Sequence, residues 1–190
     1  RSYSVTGVQT CALPIFNRLV TDQVQGTLRM GPSTGKRILI TCAPDEPEDL
    51  GAQMCADLFE ADGWDVYFVG GGVPDDEILM LIGQLRPDLL MVYGAQPTGV
   101  PGVRRLIDQI REIGSNPTMN IMVSGGVFNR AEDLWEEINA DLFATSVAES
   151  LAVANGARPR QTTVTLQAPI RKRRRRRRSP YLEPLEAESA

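Results

Sequence analysis

Residues 37–51 read Arg37-Ile38-Leu39-Ile40-Thr41-Cys42-Ala43-Pro44-Asp45-Glu46-Pro47-Glu48-Asp49-Leu50-Gly51: an apolar run, a turn rich in proline and acid, and the entry to a second apolar segment. The run from Arg37 to Thr41 lacks the polar alternation of a half-wet strand and reads as a strand buried on both faces. Beyond the turn, Leu50 to Ala61 puts Met54, Cys55, Leu58 and Phe59 on one helical face and stops at Gly63. A buried strand followed by an amphipathic helix is half of a βαβ unit, so the next strand should return parallel to the first.

The unit repeats downstream. Strands are predicted at 65–69, 88–93, 120–124 and 141–144, and helices at 103–113, 131–138 and 146–155. A further helix opens at Pro74, with Asp75, Asp76 and Glu77 in its first turn, where carboxylates suit the helix dipole. Five strands alternating with five helices give the fold class: α/β, a doubly wound five-stranded parallel sheet with helices on both faces, Rossmann- or flavodoxin-like, over residues 36–156.

Three segments flank this domain. Residues 1–15 match nothing that follows; they resemble a translated sequencing-adapter remnant and are set aside as a non-native or disordered leader. Residues 16–35 form a helix and linker, with Phe16, Leu19, Val20, Val24 and Leu28 at helical spacing, read as the remnant of an upstream helical module. Residues 157–190, rich in Thr, Gln, Pro and Arg, are predicted to be disordered.

The net charge of −4 hides an asymmetry. The run 171–178 holds eight of the 20 Lys and Arg, which leaves 12 upstream against 21 acidic residues, a body near −9. No apolar run approaches the roughly 18–20 residues that cross a bilayer, so no membrane span is expected and a cytoplasmic protein is. Cys11, Cys42 and Cys55 have neither C-x-x-C nor zinc-like spacing and read as free thiols, Cys42 closing a strand and Cys55 on a buried helix face. Trp64 and Trp135 are expected to pack against the domain. The chain has no histidine, which removes the commonest metal ligand and the usual proton carrier at neutral pH.

Open α/β sheets bind ligands at the carboxyl ends of their strands, near the point where strand order reverses. The loops there are 42–49, 70–73, 94–99 and 125–129, two of them carrying Gly70-Gly71-Gly72 and Gly125-Gly126. Glycine lets a ligand approach the backbone, and it equally builds tight turns. Several familiar motifs fail. Gly31-x-x-x-Gly35-Lys36 is one residue short of a phosphate-binding loop and precedes a strand instead of following one. The first strand is followed by Ala43-Pro44-Asp45-Glu46-Pro47 and not by a dinucleotide fingerprint. A phospho-receiver domain needs an aspartate closing the third strand, where Tyr93-Gly94 stands, and a lysine after the fifth.

Glu46-x-Glu48-x-x-Gly51 after the first strand, Gly70 to Pro74 after the second, Val123-Ser124-Gly125-Gly126 at the fourth and Ala140 to Ala144 near the end follow one order. In that order, over residues 36–155, the chain resembles the cobalamin-binding domain of methyltransferase corrinoid proteins, mutases and light or redox regulators. The family carries D-x-H-x-x-G in the first loop, its histidine coordinating cobalt and its acidic neighbour orienting the imidazole. Here Glu46 and Gly51 are retained and Glu48 takes the histidine's place, so histidine-style ligation is ruled out and no metal ligand is assigned. The family serine that meets the cofactor's nucleotide base after the third strand is also missing, and Gly94-Ala95-Gln96-Pro97 offers only an amide.

The resemblance implies cobalamin or a related corrinoid, its tail held in a slot of bare main chain at the strand-end rim. The implied binding residues are Glu46, Pro47, Glu48, Asp49, Gly51, Gly70, Gly94, Ala95, Gln96, Gly125, Gly126, Val127 and Phe128. Three readings follow, in order. The first is a sensory or regulatory domain holding a corrinoid without histidine. The second is a cofactor-free interaction module with a protein partner. The third is a methyl carrier or mutase subunit. Without a histidine base or a nucleophile–base pair, the chain is read as no enzyme by itself.

Arg171, Lys172, Arg173, Arg174, Arg175, Arg176, Arg177 and Arg178 repel one another and form no core. They are expected to attract nucleic acid nonspecifically through phosphates, with no interleaved aromatics for base stacking.

Overall fold

The computed structural model describes residues 31–47 and 49–161. The leader 1–15, the helix read over 16–30, Glu48 and the basic run 171–178 lie outside the described residues. The elements are β1 (Arg37–Cys42), α1 (Leu50–Ala61), β2 (Asp65–Phe68), α2 (Asp75–Leu85), β3 (Leu89–Tyr93), a 3-10 turn (Pro97–Gly99) and α3 (Val100–Ile113). They continue with β4 (Asn120–Ser124), α4 (Gly126–Arg130), α5 (Leu134–Glu137), β5 (Leu142–Ala144) and α6 (Val147–Gly156). The five strands form one sheet in the order β2-β1-β3-β4-β5. Every pairing is parallel.

The apolar runs are central for the reason the sequence gives. In β1, β3 and β4 almost every residue is buried, while β2 and β5 lie at the edges and are partly exposed. Successive side chains alternate between two cores, as the strand period of two requires. Leu39, Leu90, Val92, Ile121 and Val123 face Ile78 and Ile82 of α2 and Val103, Leu106, Ile107 and Ile110 of α3. Ile38, Ile40, Met91 and Met122 face Cys55 and Phe59 of α1 and Ala154 of α6. With helices on both faces, strand order reverses between β1 and β3, and the loops leaving these two strands flank that point.

Both tryptophans pack on the domain. Trp64 meets Phe59 edge-on at 5.5 Å, and Trp135 stacks on Phe143 at 6.4 Å. Asp141, just before β5, accepts the Ile121 N–H and pairs with both Arg111 and Arg160. At α6, the Ser146 hydroxyl accepts the Glu149 N–H, and the Glu149 carboxylate accepts the Thr145 N–H in return.

Two expectations are corrected. The helix predicted over 131–138 is absent as such: α4 begins five residues earlier, at Gly126, and α5 is a single turn. Gly125, at φ 110°, turns the chain straight from β4 into α4, and Asp133, at φ 59°, breaks the helical path between α4 and α5. The disorder expected from residue 157 does not begin there. Residues 157–161 are tied to the sheet by Arg160 N–H to the Thr118 carbonyl, by the Asn120 amide to the Arg158 carbonyl, and by the Arg160–Asp141 pair.

Candidate functional site

The strand-end rim is built from four loops, and a single carboxylate crosses its middle. Glu46 Oε2 accepts the Ala95 N–H at 2.7 Å and the Gln96 N–H at 3.2 Å, joining the loops that leave β1 and β3. The Ala95 carbonyl in turn accepts Arg130 Nη2 at 2.6 Å, which ties in the end of α4. A charged acceptor with two backbone donors is among the stronger hydrogen-bond arrangements, so these loops are fixed relative to one another.

Five glycines of the rim, Gly51, Gly94, Gly99, Gly102 and Gly125, are packed against the chain's own atoms, whereas Gly72 faces open space. A Cβ built on Gly51 would collide with the Tyr93 hydroxyl, so this glycine makes room for the ring that closes β3. A Cβ on Gly102 would lie 2.7 Å from Pro44 Cγ, and one on Gly99 2.6 Å from the Pro44 carbonyl oxygen. Gly125 meets the Gly94 carbonyl, and a Cβ on Gly94 would stand 3.0 Å from Phe128 and 3.2 Å from Val127. Tyr93 therefore packs on the α1 side of the reversal point and Pro44 on the α3 side. Among the described residues, the glycines on which the sequence resemblance places a slot of bare main chain stand against the chain's own atoms at Gly51, Gly94 and Gly125.

The implied binding residues separate accordingly. Glu46, Ala95 and Gln96 meet in one hydrogen-bonded clamp. Pro47 is exposed, and Asp49 stands at the N-cap position of α1 without a side-chain capping bond, its carboxylate near Gly70. The Gly70 carbonyl accepts the Cys42 N–H and the Thr41 hydroxyl. Gly126 is half-buried beside the Arg130 guanidinium. Val127 and Phe128, only 5% and 2% exposed, belong to the core through their side chains. Glu48 lies outside the described residues.

Open space at the rim lies elsewhere, in a hollow of about 390 Å³ lined by Pro97, Val100, Pro101, Val127, Leu134 and the stem of Arg130. Sequence reading missed this hollow because its two walls, α3 and the α4–α5 segment, are about 30 residues apart along the chain. The usable signal was the pair Pro97 and Pro101 around Gly99, which puts rigid apolar groups at a strand-end loop.

The donor set limits what can be held. Among the described residues no three His, Cys, Asp or Glu side chains converge as a metal site. Cys42 is buried, and its thiol is pushed up to about 12, first by burial and then by the charges of Asp49 and Glu46. It is therefore no thiolate ligand at neutral pH. The hollow offers an almost wholly apolar face, and the histidine-free chain offers no imidazole to a metal that needs one.

Comparisons with known proteins agree with this architecture. Residues 36–153, more than half the chain, match the family model of the B12 binding domain. Dimethylamine corrinoid protein 1 of Methanosarcina acetivorans is 24% identical over 107 residues, covering 56% of this chain and 49% of that protein. The chain thus spans about half the length of this curated relative. The monomethylamine corrinoid protein of Methanosarcina barkeri superposes with a TM-score of 0.62 at 19% identity, over 72% of this chain and 63% of that one. The methanol:cobalamin methyltransferase complex of the same organism gives a TM-score of 0.59 at 20% identity, over 68% and 50%. At these identities the superpositions establish the fold.

Proposed function

The chain belongs to the B12-binding domain family, and on that premise we propose that it is the corrinoid-holding module of a methyl-transfer system, presenting its cofactor to a separate catalytic protein. The carrying observation is the extent of the family match, which runs through all five strands and the loops of the rim. The names of the relatives support methyl carriage over the sensory or regulatory role placed first by the sequence. Methyl carriage was placed last there, for want of a histidine.

A bound corrinoid supplies a cobalt centre able to take up and release a methyl group. This chain's residues hold and orient. Pro97, Val100, Pro101, Val127 and Leu134 offer the apolar face, and Glu46 with Arg130 fixes the loops. No residue is assigned a proton transfer, so the reaction belongs to the partner. A cytoplasmic setting is part of this proposal; among the described residues no helix is long and apolar enough to cross a membrane.

The test is direct. The purified protein is incubated with hydroxo-, methyl- and adenosylcobalamin, desalted, and its visible spectrum recorded. Retained colour near equimolar cobalt supports the proposal. Colourless protein with all three forms leaves the second reading, a cofactor-free interaction module, which is favoured by one observation: Gly51, Gly94, Gly99, Gly102 and Gly125 are each packed against the chain's own atoms.

Attraction of nucleic acid to residues 171–178 is a separate proposal that rests on charge alone. Retention of RNA or DNA at low salt that is unchanged by deleting 171–178 would dismiss it.

A further inference from the structure

In an open α/β sheet ligands bind in the crevice at the reversal point, and the family resemblance places the corrinoid's tail there. Among the described residues, side chains pack into that crevice from both sides. Tyr93 occupies the space beside Gly51 on the α1 side, and Pro44 rests on Gly99 and Gly102 on the α3 side. Close backbone approach of Gly94 and Gly125 continues the β3–β4 pairing past the strand ends, and the Glu46 carboxylate spans the loops that leave β1 and β3 through its bonds to Ala95 and Gln96. A bulky appendage could pass between strands and helices only by unpacking these contacts together.

The available donors point the same way. The chain has no histidine, so it offers no imidazole to take the place of a nitrogen base already on cobalt. Side-chain donors along the described first loop are the oxygens of Asp45, Glu46 and Asp49, with the Cys42 thiol buried behind them. Carboxylate is a hard donor and a poor competitor against an aromatic nitrogen for low-spin cobalt. Glu46 is already committed to two backbone N–H groups.

We infer that this rim takes a corrinoid by its ring face alone, with the cofactor's own nucleotide base left on cobalt and no tail threaded into the domain. The inference rests on the corrinoid reading above and narrows it. It implies that the nucleotide adds little to affinity, because the described crevice residues are already packed against one another.

The experiment compares cobalamin with cobinamide, which has the same ring and no nucleotide, each loaded as Co(II), desalted and examined by electron paramagnetic resonance. Bound cobalamin is expected to keep the nitrogen hyperfine splitting of an axial base, and bound cobinamide to lack it. In a chain without histidine that nitrogen cannot be a protein imidazole, and the cobinamide sample excludes any other protein nitrogen. The two dissociation constants are expected to agree within about threefold, a difference below 1 kcal/mol. Loss of the splitting when cobalamin binds overturns the inference while leaving corrinoid binding intact. So does cobinamide binding weaker by about thirtyfold or more. Failure of both to be retained overturns the corrinoid reading, and this inference with it.

Discussion

Glu46 Oε2 accepts the Ala95 N–H at 2.7 Å across 49 residues of sequence, and this contact fixes the two loops that flank the reversal of strand order. The same oxygen takes the Gln96 N–H, so losing the side chain orphans two donors at once. Glu46→Ala is expected to lower stability by about 1–3 kcal/mol, the range for hydrogen bonds to a charged group. Glu46→Gln, which keeps an accepting oxygen and loses the charge, should cost less. Urea midpoints of the three proteins check the order, and equal midpoints for wild type and Glu46→Ala would show the clamp to be idle.

Gly51 and Tyr93 are fitted to each other. Gly51→Ala places a methyl against the Tyr93 ring and is expected to cost about 1–3 kcal/mol by overpacking. Tyr93→Leu removes the colliding atoms, so the double variant should recover part of that loss. A double-mutant cycle with a coupling energy near zero would place the two residues out of contact.

Gly125 combines a close approach to the Gly94 carbonyl with φ 110°, a conformation that L side chains rarely adopt. Gly125→Ala is expected to destabilise by about 2–4 kcal/mol, from backbone strain and crowding together. By contrast, Gly83→Ala adds a methyl in open space within α2 and should be neutral or stabilising by up to about 1 kcal/mol. Thermal melts that move both variants equally would contradict this account.

Burial raises Cys42 from 9.0 to about 12 and Cys55 from 9.0 to about 11. The folded state therefore holds these protons more tightly than the unfolded state does. Their contribution to stability is complete below pH 9 and is lost as pH rises through about 11 to 12. In a Cys11→Ser background, native protein at pH 8 should react with a maleimide at least about a hundredfold more slowly than protein in denaturant, Cys55 being the faster of the two thiols. Fast native labelling would mean that one of these thiols is open to solvent.

Asp141 serves two arginines and one backbone N–H. Burial pulls the Arg111 guanidinium's pKa down while the Asp141 charge opposes that shift, so removing Asp141 leaves a partly buried cation with only the Met119 carbonyl as partner among the described contacts. Asp141→Ala is expected to cost about 2–4 kcal/mol. Arg160→Ala should cost less than half as much, because that side chain is 36% exposed. Denaturation curves showing the reverse order would reassign the strength of the cluster to Arg160.

The strands and most helices were legible because their signals are local. The unbroken apolar runs at 38–41, 89–92 and 121–123 marked the central strands, and Gly63 with Pro74 marked helix ends. The start of α4 was misread because Gly125-Gly126 also looks like a loop. The apolar pair Val127–Phe128 anchors that helix in the core, which the glycine pair before it does not announce.

Thus the sequence by itself determined a doubly wound parallel sheet, its binding rim, and a first loop with no imidazole for a metal. What each rim glycine is for was decided only by the tertiary structure. The partners of Gly51, Gly102 and Gly125 are Tyr93, Pro44 and Gly94, each more than 30 residues away, and the partner of Glu46 lies 49 residues away. A missing side chain leaves space, and whether a ligand or the chain itself fills that space depends on packing between elements distant in sequence, which periodicity does not record.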